Sequence, residues 1–105
     1  MDDWRYAFTA EIQLSVGSTS RWHYVALPQA LSDQLHVLAR GNQSRRRGWG
    51  AIRVQATIGT LSWQTSIFPA FDSQRYALFL KAEVRQSLHL AVGQTVAVSL
   101  NILWT

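Results

Sequence analysis

The residues with the clearest chemical potential are three consecutive arginines and a nearby tryptophan: Arg45, Arg46, Arg47 and Trp49. Arginine binds phosphate through paired N–H donors, and an indole ring can stack on a base or sugar. This combination predicts a loop that binds single-stranded nucleic acid or another anionic partner. The alternative is a solvated basic loop whose tryptophan covers one end of the domain, since charge runs are usually solvent-exposed faces.

A second group of candidate residues lies on the two strands that follow this loop. Arg53 belongs to the outward-facing set of the first strand, and Trp63 and Ser66 lie on the second. If Trp63 and Ser66 line the mouth of a barrel, they could bind a small anion or an apolar metabolite, as a pocket protein or an unrecognised enzyme. Packing in the core is the default for Trp63, and an exposed position beside Arg53 is the alternative.

The sequence predicts no catalytic residue, no metal site and no cofactor. His23, His36 and His89 fall on separate elements and the chain has no cysteine, so no closely spaced set of ligands for zinc is present. Ser66 has no identifiable base or oxyanion pocket in the sequence. We therefore expect a non-enzymatic binding domain, with nucleic acid first among the candidate partners.

Composition indicates one globular domain over residues 1–105. The chain is 48% hydrophobic and 15% charged, and its net charge of +4 comes from nine arginines and one lysine. A modest positive charge favours an anionic partner only weakly. Residues 1–20 lack a basic start followed by an apolar block, and no apolar run is long enough to span a membrane. These features favour a cytoplasmic protein that does not enter membranes.

The hydrophobic pattern predicts six strands and two short helices. Alternating apolar and polar residues give strands over 6–16, 22–27, 52–58, 61–68, 76–80 and 95–103. One helix follows Pro28, presents Leu31, Leu35 and Leu38 on one face and ends at Gly41, and the other covers 82–88. Gly59-Thr60 predicts a two-residue hairpin turn. Ser32 and Asp33 are interpreted as residues that cap exposed amides at the start of the first helix.

The order strand, strand, helix, strand occurs twice, which suggests an internal duplication. The two halves cover about 5–58 and 61–104, and a shift of 53 residues places Leu27 on Leu80 and Leu35 on Leu88. The basic segment 41–50 is then an insertion in the first half. Each half has too few strands to cover its own apolar face, so pairing the halves predicts a small, closed, mainly β barrel from two ββαβ units.

Several short motifs of this chain recur together in one known family: Phe8-Thr9-Ala10, Tyr24-Val25-Ala26-Leu27-Pro28, Arg47-Gly48-Trp49-Gly50, Trp63-Gln64-Thr65-Ser66-Ile67-Phe68-Pro69 and Leu80-Lys81-Ala82. By these motifs the chain resembles the family catalogued as domain of unknown function 1905, a group of small bacterial β-barrel proteins. The resemblance implies a double-split barrel related in shape to the swapped-hairpin DNA-binding domains of transition-state regulators and antitoxins, and it adds Lys81 to the candidate binding residues. It implies no catalytic residue. Phe79 departs from the proline that the family often has there.

A third interpretation is a protein–protein interaction module. Such a module would bind another domain or its own copy, forming a homo-oligomer, through an exposed edge strand or through Trp4 and Trp104. A flat apolar surface would favour this role, whereas an enclosed cavity would favour the pocket protein.

Overall fold

A computed structural model describes residues 5–16, 21–41, 50–69 and 75–103. Nine elements occur in these ranges: β1 Arg5–Glu11, β2 Gln13–Val16, β3 Arg21–Ala26, α1 Gln29–Gly41, β4 Ile52–Ile58, β5 Leu61–Pro69, β6 Tyr76–Phe79, α2 Ala82–Leu88 and β7 Thr95–Ile102. Their kinds and order agree with the predicted strands and helices, except in the first strand.

The strands form one seven-stranded sheet in the order β1-β7-β4-β5-β6-β3-β2, and every neighbouring pair is antiparallel. Burial alternates along the central strands, so one face of the sheet holds the core and the other faces outward. In β7, for example, Val96, Val98, Leu100 and Ile102 are buried while the residues between them are exposed or half-buried. The fold is mainly β, with a sheet that curves into a half-barrel and two helices.

The predicted first strand is interrupted at Ile12, and the expectation of one strand over 6–16 is therefore wrong. The Ile12 backbone leaves the sheet ladder: its N–H donates to the Gln94 carbonyl at 2.9 Å, and its carbonyl accepts from the Gly93 N–H at 2.8 Å. The side chain of Ile12 is buried. Only this residue separates β1 from β2, although these two strands stand at opposite ends of the strand order.

The core lies between the inner face of the sheet and one side of each helix. Leu35 and Ala39 of α1 are fully buried, Leu31 and Leu38 pack partly buried beside them, and Val84 is the buried residue of α2. Leucines at the predicted spacing do face the sheet. Burying each such side chain contributes about 1.5–3 kcal/mol relative to leaving it exposed, so packing rather than helix propensity holds these short helices.

Ser32 does not cap a helix, which corrects the interpretation of Ser32 and Asp33. Since α1 begins at Gln29, both residues lie inside it, and Asp33 accepts a hydrogen bond from the Gln29 side-chain amide at 2.9 Å. The Ser32 hydroxyl is buried and accepts from the backbone N–H of Tyr76 at 3.1 Å. The hydroxyl thus joins α1 to the start of β6, where it satisfies a buried strand donor.

The hairpin between β4 and β5 has the predicted two-residue turn. Ile58 pairs with Leu61, and Gly59 has a φ of 60°, in the left-handed region that glycine enters without strain. A glycine of this kind at the first central position is typical of a hairpin turn whose twist matches that of the strands. The turn fixes the β4–β5 register from Ile52 opposite Ile67 onward.

Candidate functional site

The outer face of the sheet carries a groove of about 540 Å³. We call it the aromatic groove, and its lining residues are Trp22, Arg53, Thr65, Ser66, Phe68, Phe79 and Lys81. They come from β3, β4, β5 and β6 and from the residue before α2, so no single stretch of sequence forms the groove. Its volume lies within the range usual for small-molecule sites.

Strand register brings the arginine and the serine of this groove together. Arg53 lies opposite Ser66 in the β4–β5 pair, and directly opposite residues of an antiparallel pair share one face of the sheet. Their sequence neighbours Val54 and Ile67 are fully buried. Because side chains alternate between the two faces, Arg53 and Ser66 project outward.

Three aromatic rings form the apolar wall of the groove, with Phe79 in the middle. The ring centres of Trp22 and Phe79 are 5.6 Å apart in an edge-on arrangement, and those of Phe68 and Phe79 are 6.1 Å apart. Tyr24, opposite Phe79 in the β3–β6 pair, adds a further ring at 6.1 Å. Such tilted pairs hold one another in place, each contributing about 0.5–1.5 kcal/mol beyond burial. Trp22 nevertheless remains 53% exposed, which is a large apolar surface for a side chain fixed in this way.

Among the described residues that line the aromatic groove, the charged groups are two cations, Arg53 and Lys81. More positive charge lies nearby on the other side of β3. Burial, followed by the charges of Arg85 and Arg21, lowers the pKa of His23 below its usual value, so His23 stays neutral to lower pH. Arg53 and Lys81 favour an anion within the groove, whereas the charge of Arg21 lies on the opposite face of β3 from Trp22.

Among the described residues that line the aromatic groove, Ser66 supplies an outward-facing hydroxyl group, and none is a histidine or carboxylate that could act as its base. Within the described ranges, no group of three or more histidine, cysteine, aspartate or glutamate side chains is placed to hold a metal ion. The arrangement offers stacking surfaces, hydrogen-bond donors and positive charge, which are the requirements for binding an anion with a flat apolar part.

A second groove of about 300 Å³ lies on the strands β1, β7 and β4. We call it the polar groove, and its lining residues are Arg5, Gln55, Thr57, Ser99, Leu100 and Asn101. The Thr57 hydroxyl is 2.7 Å from that of Ser62 across the hairpin. Amide and hydroxyl side chains dominate this surface, so it offers hydrogen bonds where the aromatic groove offers stacking.

The structure brings three of the eight predicted site residues together, namely Arg53, Ser66 and Lys81. Trp63 is placed elsewhere: it pairs with Ala56 and packs, partly buried, against the core, so its default interpretation holds. The basic loop residues Arg45, Arg46, Arg47 and Trp49, and the tryptophans Trp4 and Trp104, lie outside the described residues.

Sequence reasoning missed the three aromatic lining residues Trp22, Phe68 and Phe79. A usable signal exists for Trp22, because it alternates with Val25 and Leu27, which are buried, and so belongs to the outward set of β3. That signal does not say which outward residues of other strands lie next to it. The neighbours follow from the β3–β6 register, which pairs residues more than fifty positions apart.

A model of the family described as Domain of unknown function (DUF1905) matches residues 8–100. No curated protein matches this chain. Neither helix in the described part of the chain is long and apolar enough to cross a membrane.

Proposed function

Since this chain belongs to the DUF1905 family, whose description assigns no function, we propose from its geometry that it is a non-enzymatic binding domain. Its ligand carries a flat apolar group together with an anionic group. The apolar group enters the aromatic groove against Trp22 and Phe79, and the anionic group binds Arg53 and Lys81.

One observation carries this proposal: Phe79 packs against both Trp22 and Phe68, and the same groove is lined by the two cations Arg53 and Lys81. A ring on Trp22 and Phe79 removes exposed apolar surface from water, at about 25 cal/mol per Å². A carboxylate or phosphate on Arg53 forms charge-assisted hydrogen bonds, which contribute more than neutral ones. A ligand with only one of these two features loses part of the binding energy.

A matched pair of probes separates the two contributions. Naphthalene-2-carboxylate has both features, whereas naphthalene-2-carboxamide keeps the ring and loses the charge. We expect the carboxylate to bind about tenfold more tightly, which corresponds to about 1.4 kcal/mol. A titration followed by ¹⁵N–¹H correlation spectra should shift the indole N–H signal of Trp22 and leave that of Trp63, which packs on the core, in place.

Two variants test the contributions of Arg53 and Trp22 to binding. Arg53→Gln should remove the preference for the carboxylate, and Trp22→Ala should weaken the binding of both probes. Arg21→Gln is the matched control, since Arg21 is an exposed cation that alternates with Trp22 on β3 and does not line the groove. Equal binding of the two probes by the unaltered protein, or shifts centred on Trp63, would reject the proposal.

We infer further that the sheet closes into a double-split barrel of two ββαβ halves. Two backbone hydrogen bonds support this inference. Leu27 donates to the Tyr76 carbonyl at 2.9 Å, and Leu80 donates to the His23 carbonyl at 2.8 Å. Leu27 and Leu80 are 53 positions apart, and so are His23 and Tyr76. The two hydrogen bonds therefore join equivalent positions of the two halves, as expected for halves related by a twofold axis. The link through Ile12, which joins β1 and β2 from the two ends of the strand order, supports the inferred closure.

The basic loop gives this domain a second candidate contact. Arg45, Arg46 and Arg47 precede Arg53 by six to eight positions in the sequence, and arginine suits the binding of phosphate. We retain this loop as part of the proposed anion-binding surface.

A further inference from the structure

The aromatic groove and the polar groove lie on the same outer face of the sheet and adjoin each other. Across four strands, Arg5 pairs with Asn101, Asn101 with Gln55, and Gln55 with Gln64. These four residues therefore form one continuous row over β1, β7, β4 and β5. Arg53 of the aromatic groove is two positions from Gln55 on the same strand and shares its face.

The combined surface is too long for a small ligand. Neighbouring strands are about 4.8 Å apart, so the row from Arg5 to Gln64 extends over roughly 14 Å. The aromatic groove continues beyond Gln64 toward β6 and β3. A stacked nucleotide strand advances about 3.4 Å per nucleotide, so the row alone matches roughly four nucleotides.

The charges along this surface favour a polyanion. Arg5 lines one groove, and Arg53 and Lys81 line the other, whereas none of the described lining residues is acidic. Glu11 is the acidic residue on the outward side of β1, and it pairs with Thr95, six residues from Arg5. At about 3.4 Å per residue this is roughly 20 Å away. The charged side chains among the described lining residues are therefore all cations, and Glu11 lies apart from them.

The uncharged groups indicate which polyanion fits. Gln55, Gln64 and Asn101 each offer an amide donor and an acceptor, which suits the edges of unpaired bases. The rings of Trp22 and Phe79 offer a face on which one base can stack. A base inside a duplex is already paired and stacked, so it exposes neither its pairing edge nor its face to this surface.

Building on the proposed function, we propose that the two grooves form one track for single-stranded nucleic acid. One base enters the aromatic groove, Arg53 and Lys81 bind the adjacent phosphates, and the neighbouring nucleotides cross the row that ends at Arg5.

Calorimetric titration without a fluorescent label tests the track, because an attached dye could itself occupy the aromatic groove. The ligands are oligo(dA) of six nucleotides, an abasic hexamer of equal charge, dAMP, and the hexamer in a duplex. We expect the hexamer to bind at least tenfold more tightly than any of the other three. The three cations of the two grooves should contribute about −2 to the slope of log affinity against log salt, and any phosphate bound by the loop arginines should add to it.

Arg5→Gln separates this inference from the proposed function, since Arg5 lines only the polar groove. This substitution should weaken binding of the hexamer several-fold and make the plot of log affinity against log salt less steep by about 0.7. Binding of naphthalene-2-carboxylate should remain unchanged. Arg21→Gln removes the same charge outside both grooves and should change neither ligand. Trp22→Ala should bring the hexamer down to the affinity of its abasic counterpart.

Several results would overturn the track while the proposed function stands. In the first, the hexamer binds no more tightly than dAMP. In the second, an abasic strand, a duplex or a heparin hexasaccharide binds as tightly as oligo(dA). In the third, the Arg5→Gln variant binds the hexamer with the same affinity and salt dependence as the Arg21→Gln variant. If the unaltered protein does not bind naphthalene-2-carboxylate at the aromatic groove, the proposed function, on which the track rests, is rejected instead.

Discussion

Arg53 lies directly opposite Ser66 across β4 and β5, and both side chains line the aromatic groove. The two residues are joined through the tight turn at Gly59, so the geometry of that turn decides what faces the groove. A register slip of one residue would exchange the two faces of a strand, placing Val54 or Ile67 outside and its polar neighbour in the core. The apolar core and the groove therefore require the same register.

Gly59→Ala should destabilise the protein by about 1–2 kcal/mol, because an L side chain is strained at the φ of 60° found there. The space around the added Cβ is not limiting, since its nearest neighbour is a Leu88 methyl group at 3.7 Å. Urea unfolding measures the change. Thr60→Ala, at the other turn position, is the control and should change stability by less than about 0.5 kcal/mol. Equal effects of the two substitutions would contradict the turn geometry.

Trp22 and Trp63 should respond to alanine substitution in opposite ways. Trp63 packs against the core, so Trp63→Ala should cost roughly 3 kcal/mol of unfolding free energy. Trp22 is half exposed and contacts Phe79 edge-on, so Trp22→Ala should cost about 1 kcal/mol of unfolding free energy while weakening ligand binding. Chemical unfolding and the naphthalene-2-carboxylate titration, run on both variants, give the two quantities. A Trp22→Ala protein with full affinity would contradict this division.

Ser32→Ala should destabilise the protein by about 1–3 kcal/mol. The substitution removes the acceptor of the Tyr76 N–H and leaves a buried backbone donor without a partner. Thermal or urea unfolding provides the measurement. Ser87→Ala, on the exposed side of α2, is the matched control and should have little effect. If both variants unfold alike, the α1–β6 hydrogen bond contributes nothing measurable.

The stability of the protein should decrease as the pH falls below about 6.5. Burial, with Arg85 and Arg21 adding to it, lowers the pKa of His23 in the folded state, whereas the unfolded chain titrates near the ordinary histidine value of about 6.5. Between these two pKa values the unfolded state binds more protons, so acid favours unfolding. Below the folded-state pKa the loss levels off. The stability decreases toward acid, rather than increasing, because the pKa of His23 is lowered in the folded state.

His23→Gln should reduce this pH dependence, as measured by urea unfolding at about pH 7.5 and about pH 5. His89→Asn is the comparison, since asparagine tolerates the left-handed conformation that His89 adopts after α2. An unchanged difference between the two pH values in His23→Gln would show that other groups control the acid response.

Replacing Arg45, Arg46 and Arg47 together with alanine should weaken oligonucleotide binding and flatten its salt dependence. For a single strand, each phosphate that the protein no longer neutralises lowers the slope by about 0.7, so three such phosphates would lower it by about 2. Calorimetric titrations at several salt concentrations give the slope. An unchanged affinity and slope would exclude these arginines from phosphate binding and leave the two grooves to account for it.

Much of the fold follows from local pattern. The period-two alternation in β4 and β7 and the Gly59-Thr60 turn each involve residues close together in the chain, and all three agree with the structure. Ile12 does not follow from that pattern, because its apolar side chain continues the alternation while its backbone bonds to the turn at Gly93 and Gln94. The sequence around a backbone group does not identify the group with which it will form a hydrogen bond.

The candidate site divides in the same way. By itself the sequence determined that Arg53 and Ser66 face outward, that the apolar set of each strand faces inward, and that basic residues are numerous enough to attract an anion. Only the tertiary structure decided that Trp22, Phe79 and Lys81 complete a groove around Arg53, and that Arg5 ends the adjoining row. The physical reason is that alternation fixes which face a side chain occupies, whereas its neighbours on that face depend on pairing between strands remote in sequence.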